Sequence, residues 1–243
     1  MFNRLTDKKK EKILEKLKNN KLNNHHKELS KEEINKLLKF NELNPIILHF
    51  INTFNNYFDD YNSLLLTNLD KLHIYIDHEE EDSKGHFFNN NIYLYIEQGT
   101  LYDPSDEDFI DTLYHELLHA STYDENKDKS RSGFNKNACG YNLAHSLNEG
   151  YTELLTKRYF SFSTLNSYYL KEQQYAEQVE RLIGKSIMEK AYFEGDLYTI
   201  VTKLNEYILE PLDFIIKADN NLIDPVEVLR KIENDKSKTL IKR

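Results

Sequence analysis

The sequence predicts an α+β fold that is mostly helical, with a small antiparallel sheet packed on one central helix and a helical C-terminal half. Three observations carry this. Residues 72–76 and 92–96 alternate apolar and polar side chains, as half-buried strands do. Phe109, Leu113, Leu117 and Ala120 fall on one face of a helix. From Asn142 onward apolar residues keep helical spacing, with breaks near Ser161–Ser163, Gly184, Gly195-Asp196, Pro211 and Asp224-Pro225.

Each element follows from local chemistry. Ile13, Leu14 and Leu17 give a Lys-rich first helix one apolar stripe. Ser30 with Glu33 makes a capping box, and Leu29 with Ile34 supplies the flanking hydrophobic staple. Asn44-Pro45 reads as N-cap and first residue of a helix that buries Ile47, Phe50, Ile51, Phe54 and Phe58. A polar connection containing Gly85 separates the two strands, and Gly99 ends the second. Ser105 with Asp108 marks the start of the central helix, and Asp224-Pro225 the start of the last one. No internal repeat or long low-complexity linker interrupts the chain. The organisation is therefore an N-terminal helical segment over residues 1–60 followed by a domain over 61–243, or one compact domain throughout.

Composition narrows the function. The 243 residues hold 41 acidic and 32 basic side chains, a net charge of −9, with one Cys and nine His. One Cys excludes an intramolecular disulfide and any zinc site built on paired thiolates, so a metal would be held by His and carboxylates. The acidic balance argues against a nucleic-acid partner, which needs clustered Lys and Arg. The charge is uneven, +6 over residues 1–40 and −15 over the remainder. The basic segment reads as a solvated helical pair docked on the domain, the alternative being a surface for anions. No apolar segment follows Met1 and no run approaches a membrane span. The expectation is a cytoplasmic chain with no membrane partner, leaderless export staying open; the oligomeric state is not legible.

The chemistry concentrates in His115-Glu116-Leu117-Leu118-His119. On a helix, positions i and i+4 project from one face, so both imidazoles reach one ion. Glu116, beside them, reaches a water on that ion without ligating it. Two His ligands and a general base are the pattern of zinc-dependent hydrolysis. A catalytic zinc wants a third protein ligand. With 29 residues between His119 and Glu149, Asn148-Glu149-Gly150-Tyr151-Thr152-Glu153 offers two carboxylates at helical i, i+4 spacing.

At these two motifs the sequence resembles the gluzincin metallopeptidases, in which the HExxH helix is followed by a Glu ligand on a second helix. The resemblance spans roughly residues 91–160 and is tight only at the motifs. It implies a zincin-like fold, a Zn2+ cofactor and a peptide or protein substrate. It also implies Glu149 as third ligand, Glu153 as the acidic residue orienting a ligating His, and Asn148 as a further partner of the ligands. In the family a strand leading into this helix pairs with extended substrate, which would make residues 91–96 a sheet edge. Two departures matter. The gap before Glu149 is longer than in the aminopeptidase branch, and no aminopeptidase substrate motif lies upstream, so exopeptidase activity is not implied.

Other assignments stay open. His145, Glu153 and Asp124 are alternative third ligands, whereas the third His of the metzincin pattern is missing from residues 120–128. Cys139 is either a thiolate on the metal or a buried small hydrophobe. Tyr192 is the candidate donor to a developing oxyanion, with a core Tyr as the other reading. Ser132-Gly133-Phe134 falls where a loop lining a cleft would lie, and Arg131 there is a binder of substrate carboxylate or a solvated side chain. His25, His26, His73, His78 and His86 have no ligand spacing and read as surface groups. The expected function is zinc-dependent endopeptidase activity with Glu116 as general base on a zinc-bound water. The alternatives are a regulatory site-specific protease and a non-catalytic zinc-binding interaction module.

Overall fold

The amphipathic stripes of the N-terminal third set its helices. The computed structural model describes residues 5–28, 30–78, 84–97, 99–126, 132–161 and 169–241. Helix α1 (Asp7–Lys18) buries Ile13 and Leu17. Helix α2 (Lys31–Leu37) has the expected capping box: Glu33 N–H donates to Ser30 Oγ at 3.2 Å and Ser30 N–H to Glu33 Oε2 at 2.9 Å. Leu29 of the expected staple lies outside the described residues. Helix α3 (Asn44–Phe58) buries the five predicted apolar residues, Ile47, Phe50, Ile51, Phe54 and Phe58. Asn44 is its first residue rather than its cap, because a 3-10 turn (Asn41–Leu43) runs directly into it. The Asn44 side chain instead accepts the Phe40 N–H at 2.8 Å. Helix α4 (Asn62–Lys71) follows.

The sheet departs from expectation. Strands β1 (His73–Asp77) and β3 (Asn91–Tyr95) are the predicted pair, but they run parallel, not antiparallel. A third strand, β2 (Gly85–Phe88), lies in the polar connection and pairs antiparallel with β3. Asn89 and Asn90, at φ 49° and 58°, make the tight turn that joins them. The order β1-β3-β2 puts β3 in the middle, so residues 91–95 are not the sheet edge that the family resemblance implied. Ile92 and Leu94 are buried, and β2 and β3 pack on helix α5 (Glu107–Ser121). Gly85 allows that approach, since a Cβ there would sit 2.8 Å from Thr112 Cγ2. The outer face carries an in-register row, Tyr75, Tyr93 and His86, with ring centroids 5.1 and 4.7 Å apart.

A hairpin that the sequence did not announce, β4 (Lys136–Ala138) and β5 (Tyr141–Leu143), precedes the helical half. Cys139 and Gly140, at φ 55° and 81°, form its tip. Cys139 is therefore a half-exposed turn residue, not a buried hydrophobe. Helix α6 (His145–Leu155) continues into one π-helical turn, Thr156–Phe160. Helices α7 (Leu170–Ile183), α8 (Lys185–Phe193), α9 (Leu197–Leu204), α10 (Pro211–Asp219) and α11 (Pro225–Ile241) are separated at the predicted Gly184, Gly195-Asp196, Pro211 and Asp224-Pro225. The helix before the Ser161–Ser163 break stops at Phe160, while Phe162 and Ser163 lie outside the described residues.

The chain forms two compact units. One comprises Met1–Leu22, Gly133–Leu154 and Ser167–Arg243; its core includes Ile13, Leu17, Phe134, Tyr151, Tyr192 and Phe193. The other comprises Asn23–Ser132 and Leu155–Asn166. Its core is aromatic, with Phe50 stacked on Phe160 at 4.6 Å and tilted against Tyr114 at 5.6 Å. Among the described residues no helix is long and apolar enough to cross a membrane.

Candidate metal centre

Helix α5 is held along its length, and Asp111, His115 and His119 follow one i, i+4 track. Its N-cap is Asp106, which accepts the Phe109 N–H at 2.9 Å. The predicted start at Ser105 is one residue early, because the Ser105 hydroxyl donates to Asp103 instead. Asp111, one turn before His115, takes hydrogen bonds from Lys157 Nζ at 2.8 Å and Ser161 Oγ at 2.6 Å. Those donors tie the π-helical segment to α5. Tyr114 is buried and lies 3.0 Å from His49 Nδ1; loss of solvent pushes its phenol far above the ordinary range. At the other end Asn68 Nδ2 donates to Ala120 O at 2.7 Å and Tyr123 O at 2.8 Å. Asn68 O is itself bonded by Asn90 Nδ2 at 3.0 Å.

Between these clamps His115, Glu116 and His119 are all buried, at 4, 4 and 5% exposure. The two imidazoles turn the same nitrogen toward each other, with His119 Nε2 and His115 Nε2 3.1 Å apart. His119 Nδ1 lies 2.9 Å from Ser132 Oγ.

Helix α6 begins at a capped and strained corner. Asp219 accepts the Ala144 N–H at 2.6 Å and the Ser146 N–H at 2.9 Å, while Ala144 sits at φ 60°. Burial raises the Asp219 carboxyl above its usual range, and the two backbone N–H bonds only partly oppose that. Asn148 is buried; its side-chain oxygen accepts the Phe134 N–H at 2.9 Å and so holds the loop at Gly133. Glu149 is half-buried, with His145 Nδ1 3.6 Å from its Oε1. Glu153 is buried one turn further on.

His115, His119 and Glu149 form a candidate metal-binding triad, each offering one ligand atom within 4.8 Å of the others. Among the described residues, His145, Asp124, Cys139 and Glu153 do not join this group. Asp124 instead accepts the Asn126 N–H at 2.9 Å. The donor set suits a borderline ion such as zinc, with two imidazole nitrogens and one carboxylate oxygen. Two nitrogens on a tetrahedral zinc stand about 3.3 Å apart, given bonds of about 2.0–2.1 Å. The 3.1 Å between the imidazoles is close to that value.

Tyr192 lies in the core of its unit. It is fully buried, packed against Phe134, Tyr151 and Phe193. Its hydroxyl lies 2.7 Å from Thr152 Oγ1, which itself donates to Asn148 O at 2.9 Å. Either hydroxyl can donate in that pair. The surroundings of Tyr192 are those of a core Tyr. Arg131 lies outside the described residues, and His25, His26, His73, His78 and His86 are exposed.

The contacts of two residues at this centre escaped the sequence. Asp111 extends the track of His115 and His119 by one turn, so a polar residue at that position was the available signal. Ser132 reads from the sequence as part of a cleft-lining loop, but nothing there ties it to His119, thirteen positions earlier.

No protein-family model matches the chain, and no curated protein or solved structure matches it.

Proposed function

We propose that this chain is a zinc-dependent peptide-bond hydrolase of gluzincin type, an endopeptidase. The observation that supports this best is the triad, with its two buried imidazoles presenting Nε2 atoms at ligating separation beside a buried Glu116. His115, His119 and Glu149 would hold the ion. When bound, zinc supplies a Lewis acid that acidifies water and polarises a carbonyl oxygen. Glu116 takes the proton of the attacking water and passes it to the departing amine, which has to leave protonated. Asp111 and Asn68 keep α5 from shifting, so the base and both ligands stay on one rigid element.

Two substitutions test this. Glu116→Gln is expected to keep one zinc per chain and to lose peptide-library cleavage by about 100-fold or more. Full activity in that variant refutes the mechanism. His119→Ala is expected to lose the metal by elemental analysis, and unchanged zinc would remove His119 from the ligand set. Zinc uptake without cleavage of any library peptide would instead favour the non-catalytic module.

A further inference from the structure

We propose that Ser132 is a positioning residue for this centre: its hydroxyl accepts the Nδ1–H of His119 and so commits the Nε2 lone pair to a metal ion. The inference rests on the zinc reading of His115, His119 and Glu149. A neutral imidazole carries one proton, on either nitrogen, and only the bare nitrogen ligates. Nε2 of His119 is the atom that faces His115 Nε2, at 3.1 Å. Nδ1 is the atom that faces Ser132 Oγ, at 2.9 Å. A partner that accepts at Nδ1 therefore selects the ligating tautomer before any ion arrives.

Burial sharpens that choice. His119 is 5% and Ser132 6% exposed, so bulk water competes poorly for Nδ1. A hydroxyl also differs from a carboxylate in the same place. It orients the ring without adding negative charge, which leaves Glu149 as the anionic member of the triad. Without Ser132, the proton is free to sit on Nε2 and bond to His115, and the pair then presents one lone pair fewer.

The test is zinc titration of the full chain against a chromophoric chelator at neutral pH, with 15N-histidine NMR of the zinc-free protein. Ser132→Ala is expected to weaken zinc binding by about 10–100-fold. Ser132→Thr, which keeps a hydroxyl, is expected to restore it. In zinc-free Ser132→Ala the His119 proton is expected to shift toward Nε2, which a merely structural serine would not cause. In the unsubstituted zinc-free chain, His119 is expected to show a protonated Nδ1 and a bare Nε2. Undiminished zinc affinity in Ser132→Ala, or a protonated Nε2 in the unsubstituted chain, overturns the proposal while the zinc reading stands. Failure of the unsubstituted chain to take up zinc removes the zinc reading, and this inference with it.

Discussion

Gly133 is a position where one added carbon is expected to be costly. It lies at φ 50°, and a Cβ there would clash with Asn148 Oδ1 and sit 2.7 Å from the Tyr192 ring. Neither neighbour is a loose end. Asn148 is 1% and Tyr192 0% exposed, and each is hydrogen-bonded, Asn148 to Phe134 N–H and Tyr192 to Thr152. Gly133→Ala therefore meets three costs. A Cβ in left-handed backbone costs about 1–2 kcal/mol. Overpacking a buried site costs about 1–3 kcal/mol. Pushing the Asn148 amide aside costs about 1–3 kcal/mol for the abandoned Phe134 N–H. Displacement relieves part of the overlap, so the last two do not simply add, and the total is about 3–5 kcal/mol. Gly140 is the control: it lies at φ 81° with nothing within 4 Å of an added Cβ, so Gly140→Ala carries the backbone cost alone. Urea unfolding followed by far-UV circular dichroism compares the two. Equal destabilisation by both substitutions would refute the overlap argument. Asn148→Ala combined with Gly133→Ala should cost less than the sum of the single changes, because the clashing amide is gone.

Two further outcomes are expected. Asn68→Ala strands the carbonyls of Ala120 and Tyr123 at the end of α5 and should cost about 2–4 kcal/mol in urea unfolding, with faster amide exchange at Ser121–Tyr123. Asp219 has its pKa raised by burial above 3.8, so between 3.8 and that raised value the native state keeps a proton that the unfolded chain has released. Its contribution to stability is then present below 3.8 and falls as pH rises through the window. Asp219→Asn should remove that slope, and the gap between the two proteins should narrow with rising pH in that range; a gap that widens contradicts the sign.

Much of the helical framework was legible because its signals are local. Ser30 and Glu33 cap each other across one turn, Asp224 caps a helix that Pro225 begins, and α3 buries the stripe its spacing displays. The two His of α5 were legible for the same reason, since i, i+4 spacing fixes them on one face. Strand pairing was not. Alternation in residues 72–76 and 92–96 says that each is a strand but not which way the two run together. Strand β2 hid because its hairpin uses Asn89-Asn90, a pair without Gly, inside a polar stretch. The surroundings of Tyr192 were not legible because a hydroxyl's partner is set by tertiary packing, here Thr152 forty residues away. Ser132 was invisible as a tautomer partner on the same ground.

The mixed pairing of the three-stranded sheet also orders its assembly in time. Strands β2 and β3 are joined by two residues, so their hairpin closes on a scale of about 1–10 μs. Strand β1 lies on the other side of β3 and pairs parallel with it, so its docking waits for the intervening chain to cross over. Until then the central strand has one bare flank of N–H and C=O groups beside Ile92 and Leu94, a template for any passing strand. The window in which a nascent chain is exposed to self-association is thus set by the arrival of β1, after the hairpin has already formed.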